Sequence, residues 1–273
     1  MDSSELMKKL RRIEISSDKL VDELFSGEYR SGFRGKGMEF EHIRPYTPGD
    51  DVRSIDWNVT ARYDKAFVKQ YVEERERNVF LLIDMSRSNS FGKKREIIAE
   101  ISATLALSAI KNNDRAGAIF FTNQVENYIP SKNGKKHVLS IIENILSFEP
   151  EQTGTDIAMV LQYFNRIEKK RCVVFLLSDF LDDGYENDLR ATSKRHDLIR
   201  IRVIDRAEER IPAGAIFRFE DMETGQTYMM DNLKQAYTIP IESGIDKRNL
   251  ISIYTDEDYV IPLKKFFRRR GRQ

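Results

Sequence analysis

The chain changes rhythm at residue 78. Val79-Phe80-Leu81-Leu82-Ile83 and Val173-Val174-Phe175-Leu176-Leu177 are uninterrupted apolar runs, the pattern of central strands covered on both faces in a parallel sheet. Gly117-Ala118-Ile119-Phe120-Phe121 predicts another strand, Val125 to Ile129 its hairpin partner, and Leu198 to Ile204 a further strand. Between these runs apolar residues recur at helical spacing. They predict helices over 93–112, 135–148, 156–167 and 185–196, the first with Ile97, Ile98, Ile101, Leu105 and Ile110 as its apolar face. Strands alternating with helices imply βαβ crossovers. The expected fold class is α/β: a doubly wound, mostly parallel sheet with helices on both faces, Rossmann-like.

The flanks read differently. Leu6, Leu10 and Ile13 mark one helical face, and Leu20, Val21 and Leu24 another after Ser16-Ser17, which predicts two short helices within 4–26. From 27 to 66 the period is lost among Gly27, Gly32, Gly35, Gly37, Pro45, Pro48 and Gly49, giving a turn-rich, partly stranded segment that closes on a strand at 67–72. After Asp205, Phe217-Arg218-Phe219 and Thr227-Tyr228-Met229 flank a hairpin turn at 223–226, with a last strand at 251–254 and a last helix at 257–270. The expected organisation is an N-terminal extension, 1–77, packing on an α/β domain, 78–273.

Composition removes several function classes. The chain has 273 residues, with 45 Lys+Arg against 44 Asp+Glu for a net charge of +1. Such a chain has no overall attraction for nucleic acid or an anionic membrane. One Cys makes neither an intrachain disulfide nor a Cys-rich zinc site, and three scattered His make no His-rich cluster. The longest uncharged apolar stretch, about Ile101 to Ile110, is far below the ~20 residues of a spanning helix. No apolar export region follows Lys8, Lys9, Arg11 and Arg12. A cytoplasmic protein with no membrane span is expected.

Chemistry gathers at strand ends. Asp84-Met85-Ser86-Arg87-Ser88 follows the first buried strand, Ser178-Asp179 follows a later one, and Thr153-Gly154-Thr155-Asp156 opens a helix between them. Ligands of open α/β sheets bind beyond the carboxyl ends of the strands, where the strand order reverses. Asp84, Ser86, Ser88, Thr155 and Asp179 then share one neighbourhood, all of it oxygen. That donor set suits a hard divalent cation, Mg²⁺ or Mn²⁺. Neutral hydroxyls beside few carboxylates would leave the metal electrophilic toward an outside carboxylate, which is adhesion chemistry rather than catalysis.

These motifs resemble the metal-ion-dependent adhesion site of von Willebrand factor A (vWA) domains: D-x-S-x-S, a Thr in a G-T loop, and S-D, with every motif position filled. Upstream, Phe33-Arg34-Gly35-Lys36-Gly37-Met38-Glu39-Phe40, then Arg44-Pro45-Tyr46-Thr47-Pro48-Gly49-Asp50-Asp51-Val52-Arg53-Ser54-Ile55-Asp56-Trp57, then Ala61-Arg62, is similar to the signature of the bacterial vWA-containing family of unknown function encoded beside MoxR-type AAA+ ATPases. The resemblance implies a vWA-like domain over 78–273 and an adaptor or co-chaperone role with a MoxR-type AAA+ ATPase in complex maturation or stress response. The partner, ATPase or client, would present an Asp or Glu to the metal. Asn89 stands where the family often has Met.

Plainer readings compete. Ser86 and Ser88 could only cap a helix, and Thr155 or Asp156 could cap the helix that follows them. Asp182 and Asp183 read as a solvated turn, Cys172 as a core thiol, and Arg34-Gly35-Lys36-Gly37 as a tight turn. Arg44, Asp50, Asp51, Arg53, Asp56 and Arg62 read either as a partner-binding surface or as paired charges tying the extension to the core, and Trp57 and Ile55 among them favour burial and the second reading. Lys264, Lys265, Arg268, Arg269, Arg270 and Arg272 read as the solvated end of a helix, with RNA or lipid binding by this basic tail as a third, weaker alternative. The alternative function is a metal-dependent phosphoester hydrolase using the same pocket. It lacks a second Asp two residues after Asp84 to act as general acid, and no P-loop occurs. The expectation is therefore not an enzyme.

Overall fold

A computed structural model describes residues 3–25, 38–63, 65–73, 76–90, 93–152, 154–206, 210–211, 216–220, 227–231, 237–238 and 249–270. The turns expected at 34–37 and 223–226, Thr153 and Arg272 lie outside them. The chain forms two compact units, one of residues 1–32 with 77–273 and the other of residues 33–76.

The apolar runs of the larger unit become strands β3 (Asn78–Asp84), β4 (Arg115–Phe121), β5 (Val125–Lys132), β6 (Val173–Ser178), β7 (Asp197–Ile204) and β12 (Leu250–Tyr254). They form one six-stranded sheet in the order β12-β7-β6-β3-β4-β5. Every pairing is parallel except that of edge strand β5 with β4. Side chains alternate across it. Phe80, Leu82, Ile119, Phe121, Val174 and Leu176 pack with Ile157, Val160, Leu161 and Phe164 on one face, under helices α5 (Ile157–Ile167) and α6 (Glu186–Arg195). The other face carries α3 (Lys94–Lys111), α4 (Lys135–Ser147) and α7 (Val260–Arg270), with Phe120 edge-on to Phe148 and Phe175 edge-on to Phe267. The doubly wound, mostly parallel α/β sheet expected from the sequence is the one observed.

Gly117 is required by a close approach. A Cβ there would sit 2.7 Å from Phe80 Cε1 and 2.9 Å from the Ser131 backbone nitrogen, so β5 can close on β4 only over a bare backbone.

Two expectations are corrected in this unit. The N-terminal residues form one helix, α1 (Ser3–Phe25), of 23 residues, not two. Ser16 Oγ donates to the Ile13 carbonyl at 3.0 Å inside the helix, and buried Ser17 accepts from Thr104 Oγ1 of α3 at 3.2 Å. Leu10, Ile13, Ser17 and Val21 form the buried stripe, while Lys9 pairs with Glu96 and Arg12 with Glu100. Because α1 covers its outer side, α3 is buried nearly all round, from Ile98 through Ala109 except Glu100, rather than on a single face. Helices enclosed in this way have no polar face to show.

Beyond β7 the chain adds short antiparallel pairs. Strands β9 (Ile216–Glu220) and β10 (Thr227–Asp231) form one, at the positions the hairpin pattern indicated, and β8 (Arg210–Ile211) and β11 (Tyr237–Thr238) form the other, which the sequence reading did not include.

The smaller unit pairs β1 (Met38–Pro45) with β2 (Phe67–Glu73) in antiparallel fashion, around a 3₁₀ turn at Val52–Ser54 and helix α2 (Trp57–Tyr63). Its charges serve that local architecture. Arg44 grips Asp50 through both nitrogens at 2.8 and 2.7 Å. Asp51 accepts from the Arg53 amide, and Asp56 caps α2 through the amides of Asn58 and Val59 while pairing with Lys69. Trp57, expected to be buried, is 68% exposed. It is the first residue of a seven-residue helix none of whose residues is buried.

Candidate metal centre

The sheet order reverses between β3 and β6, because the chain leaves β3 toward β4 and later returns to the other side. The carboxyl ends of these two strands carry the site. Ile83 lies opposite Leu177, so the next residues, Asp84 and Ser178, emerge side by side. Ser178 Oγ donates to Asp84 Oδ2 at 2.6 Å. Asp84 Oδ1 accepts from the Ser86 amide at 3.0 Å, and the Met85 amide donates to the Phe121 carbonyl at 2.8 Å. The loop after β3 is thereby clamped to both neighbouring strands. Its 3₁₀ turn, Arg87–Ser90, brings Ser88 Oγ to 3.0 Å from Ser86 Oγ.

Asp84 is fully buried. Burial first, and the neighbouring Asp179 carboxylate second, push its carboxyl up to about 7, against the pull of the Ser178 and Ser86 hydrogen bonds. Asp179 Oδ1 accepts from the Leu181 amide at 3.2 Å and Oδ2 from Lys94 Nζ at 3.2 Å, while its carbonyl accepts from Arg202 Nε at 3.0 Å. Between Asp179 and Leu181, buried Phe180 adopts φ 60°, a left-handed conformation costly for a side chain with a Cβ. Its amide points into Ser178 Oγ at 3.0 Å.

The third loop is fixed to the same edge. Gly154, at φ 89°, turns the chain, and the Asp156 amide donates to the Thr122 carbonyl at 3.0 Å just beyond β4. Asp156 caps α5, accepting from Met159 N at 2.7 Å. Asp182, expected in a solvated turn with Asp183, instead accepts from Ile157 N at 2.8 Å and ties the loop after β6 to the start of α5. Asp84, Ser86, Ser88 and Asp179 are thus brought together. Thr155 stands half-buried on the adjoining loop and shares no hydrogen bond with them among the described residues.

The donor set fits a hard divalent ion. The Ser86 and Ser88 hydroxyls share a hydrogen bond at 3.0 Å, a separation that also equals the spacing of about 3.0 Å between neighbouring ligands of an octahedral ion at ~2.1 Å. Asn89 Nδ2 reaches Ser86 Oγ at 3.4 Å, yet its buried Oδ1 has no partner, leaving an acceptor that a metal-bound water could satisfy. No group of three or more His, Cys, Asp or Glu capable of holding a metal occurs among the described residues.

Sequence reasoning missed three residues here. Ser178 was visible only as the partner of Asp179 in the S-D pair, and Asn89 only as a departure from the family pattern. Lys94 gave no signal, lying within Lys93-Lys94-Arg95. Cys172 is a core thiol as expected: buried, 3.3 Å from His196 Nδ1, with burial pushing its pKa upward. It precedes β6, at the sheet edge opposite the site.

The family described as a protein of unknown function, DUF58, matches residues 42–247. The uncharacterized protein Rv1480 of Mycobacterium tuberculosis is 27% identical over 292 residues, covering 99% of this chain and 92% of that protein. The uncharacterized protein YeaD of Bacillus subtilis is 28% identical over 103 residues, 38% of this chain and 25% of that one. Among solved structures, the conserved hypothetical protein BatB from Bacteroides thetaiotaomicron is similar with a TM-score of 0.47 and 14% identity, over 72% of this chain and 100% of that one. Proximal thread matrix protein 1 from the mussel byssus, with a zinc-occupied MIDAS motif, has a TM-score of 0.38 and 16% identity, over 47% of this chain and 38% of that one. No helix among the described residues is long and apolar enough to cross a membrane.

Proposed function

The chain belongs to the DUF58 family of proteins of unknown function, and for this member we propose a non-enzymatic protein-binding module that engages its partner through a divalent cation. Ser86, Ser88 and Thr155 would hold the ion directly, with Asp84 and Asp179 acting through water or by fixing the hydroxyls. The observation that carries this reading is the hydroxyl pair 3.0 Å apart beside a buried carboxyl at the switch point of the sheet. When bound, Mg²⁺ or Mn²⁺ supplies an electrophilic position that a carboxylate can take. The protein's part is orientation: Asp84 fixes the Ser86 backbone, and Ser178 fixes Asp84. The partner presents an Asp or Glu, and we assign it to a MoxR-type AAA+ ATPase or its client in the cytoplasm, with this chain as adaptor or co-chaperone.

Binding is favoured over phosphoester hydrolysis because Ser86 stands two residues after Asp84, where a second Asp would have to act as general acid. The described imidazoles, His137 and His196, touch Ala116 O and Cys172 Sγ at the amino ends of the strands, away from the site.

The test is a pull-down of the ATPase from native lysate with Mg²⁺ or with excess EDTA, alongside calorimetric Mg²⁺ titration. Capture should require metal and fail in the double variant Ser86→Ala, Ser88→Ala. The Mg²⁺ signal should vanish in Asp84→Ala. Undiminished capture in EDTA, or equal Mg²⁺ affinity in Asp84→Ala, would refute the reading. Metal-dependent turnover of a phosphate ester, lost in Asp84→Ala, would replace it with the hydrolase.

A further inference from the structure

Helix α7 is pinned by Leu263, Phe266 and Phe267, which are buried, with Phe267 edge-on to Phe175 of the sheet. Its exposed residues are Ile261, Lys264, Lys265, Arg268 and Arg269. At 3.6 residues per turn these residues share one arc of about 140° and run about 12 Å along the axis. All but Ile261 are cations. The carboxylates at the ends of the helix are engaged elsewhere: Asp197 holds half-buried Arg270, Asp256 and Glu257 hold Arg206, and Asp258 accepts from the Val260 amide. Arg269 lies over the Phe266 ring at 5.7 Å, and Lys264, Lys265 and Arg268 form no ion pair among the described residues.

Such a face works against its own helix. Lys264 with Arg268, and Lys265 with Arg269, are like charges four residues apart, a spacing at which repulsion weakens a helix. The helix dipole rewards cations only near the last turn, which accounts for Arg268, Arg269 and Arg270 and leaves Lys264 and Lys265 unexplained. Neutralisation is left to an external anion, and we propose that this face of α7 seats the protein on an anionic lipid bilayer, as a peripheral contact independent of the metal reading. A bilayer offers a continuous plane of negative charge that a convex row of cations meets along its length, with about a fivefold gain in affinity for each Lys or Arg near the surface. Ile261, 53% exposed within the same arc, gives the headgroup layer an apolar side chain to take up. Nucleic acid fits less well. Single strands are held by a groove of positive charge and by exposed aromatics on which bases stack, whereas the aromatics of α7, Phe266 and Phe267, are buried. The net charge of +1 provides no pull at a distance, so the contact acts within about 8 Å at physiological salt.

The probe is a vesicle of two parts phosphatidylcholine to one part phosphatidylglycerol, with pure phosphatidylcholine as its neutral counterpart. Cosedimentation of the full chain is measured with lipid in excess and EDTA present, so that the metal site plays no part. The wild type should sediment with the anionic vesicles and not with the neutral ones. Raising salt from ~0.15 to ~1 M, which shortens the screening length from about 8 to about 3 Å, should release it. The double variant Lys264→Gln, Lys265→Gln should bind the anionic vesicles about 30-fold more weakly. Exposed Lys132 and Lys136 lie on β5 and α4, and β5 is the sheet edge opposite β12, against which α7 packs. Lys132→Gln, Lys136→Gln removes the same charge there and should bind within about twofold of the wild type. If Lys264→Gln, Lys265→Gln fails to fold by thermal melt, Arg268→Gln takes its place, with a loss of about fivefold. No sedimentation of the wild type with anionic vesicles, equal sedimentation with both compositions, or equal losses in the two double variants would overturn the proposal. So would binding of a single-stranded RNA that depends on Lys264 and Lys265 in a protein that ignores vesicles, which would give the face to nucleic acid instead.

Discussion

Replacing Ser178 with Ala isolates the residue that supports the site without belonging to the expected ligand set. Its hydroxyl serves twice, donating to Asp84 Oδ2 at 2.6 Å and accepting from the Phe180 amide at 3.0 Å. Losing a hydrogen bond to a carboxylate costs about 1.5–3 kcal/mol, and stranding a buried amide about 1–3 kcal/mol. The second loss falls on a residue already in a left-handed conformation, so relaxation of Phe180 recovers part of it. A net destabilisation of about 3 kcal/mol follows. With a urea slope of about 3 kcal/mol per M, the unfolding midpoint should fall by about 1 M. The same substitution frees Asp84 to turn, and Mg²⁺ affinity should drop about 10- to 100-fold, as for other residues that orient metal ligands. Urea denaturation read by circular dichroism and calorimetric Mg²⁺ titration measure the two effects. A midpoint unchanged within error, with unaltered Mg²⁺ affinity, would show that neither hydrogen bond matters.

Two further outcomes are expected. Gly117→Ala places a Cβ within 3.0 Å of Phe80 Cε1, Ser131 N and Ile129 O; because two of these are backbone, the strands must part, at a cost of about 2–3 kcal/mol, and a urea midpoint equal to that of the wild type would contradict the packing. Cys172, 3% exposed with its pKa pushed up by burial, should resist a thiol reagent such as dithiobisnitrobenzoate until the protein unfolds, so rapid stoichiometric labelling of the folded chain would refute its burial.

The sheet was legible because its central strands are apolar on both faces, and few other elements produce five consecutive aliphatic or aromatic residues bounded by turns. The strand ends that carry Asp84 and Asp179 were legible for the same reason, since a parallel sheet delivers its ligand groups at one edge. What escaped was tertiary. Ser16-Ser17 suggested a break, but one hydroxyl is satisfied within α1 and the other by Thr104 across the helix pair, and no local pattern reveals a partner 87 positions away. Trp57 suggested burial by residue type alone, whereas the charges around it cap and pair locally. Lys94 was hidden by its company: a lysine flanked by Lys93 and Arg95 reads as surface, and only the fold turns it inward.

The placement of α1 alters how this protein can be divided. In the linear sequence, everything before residue 77 invites removal as a leader to the α/β domain. In space, the first 25 residues are a layer of that domain, lying against α3 with Leu10, Ile13 and Val21 buried. Residues 33–76 are then an interpolated cassette, entered from one body and returning to the same body. A fragment begun at residue 77 would strip a wall from the core and expose the apolar back of α3. The natural cut runs through the middle of the N-terminal region, not at its end.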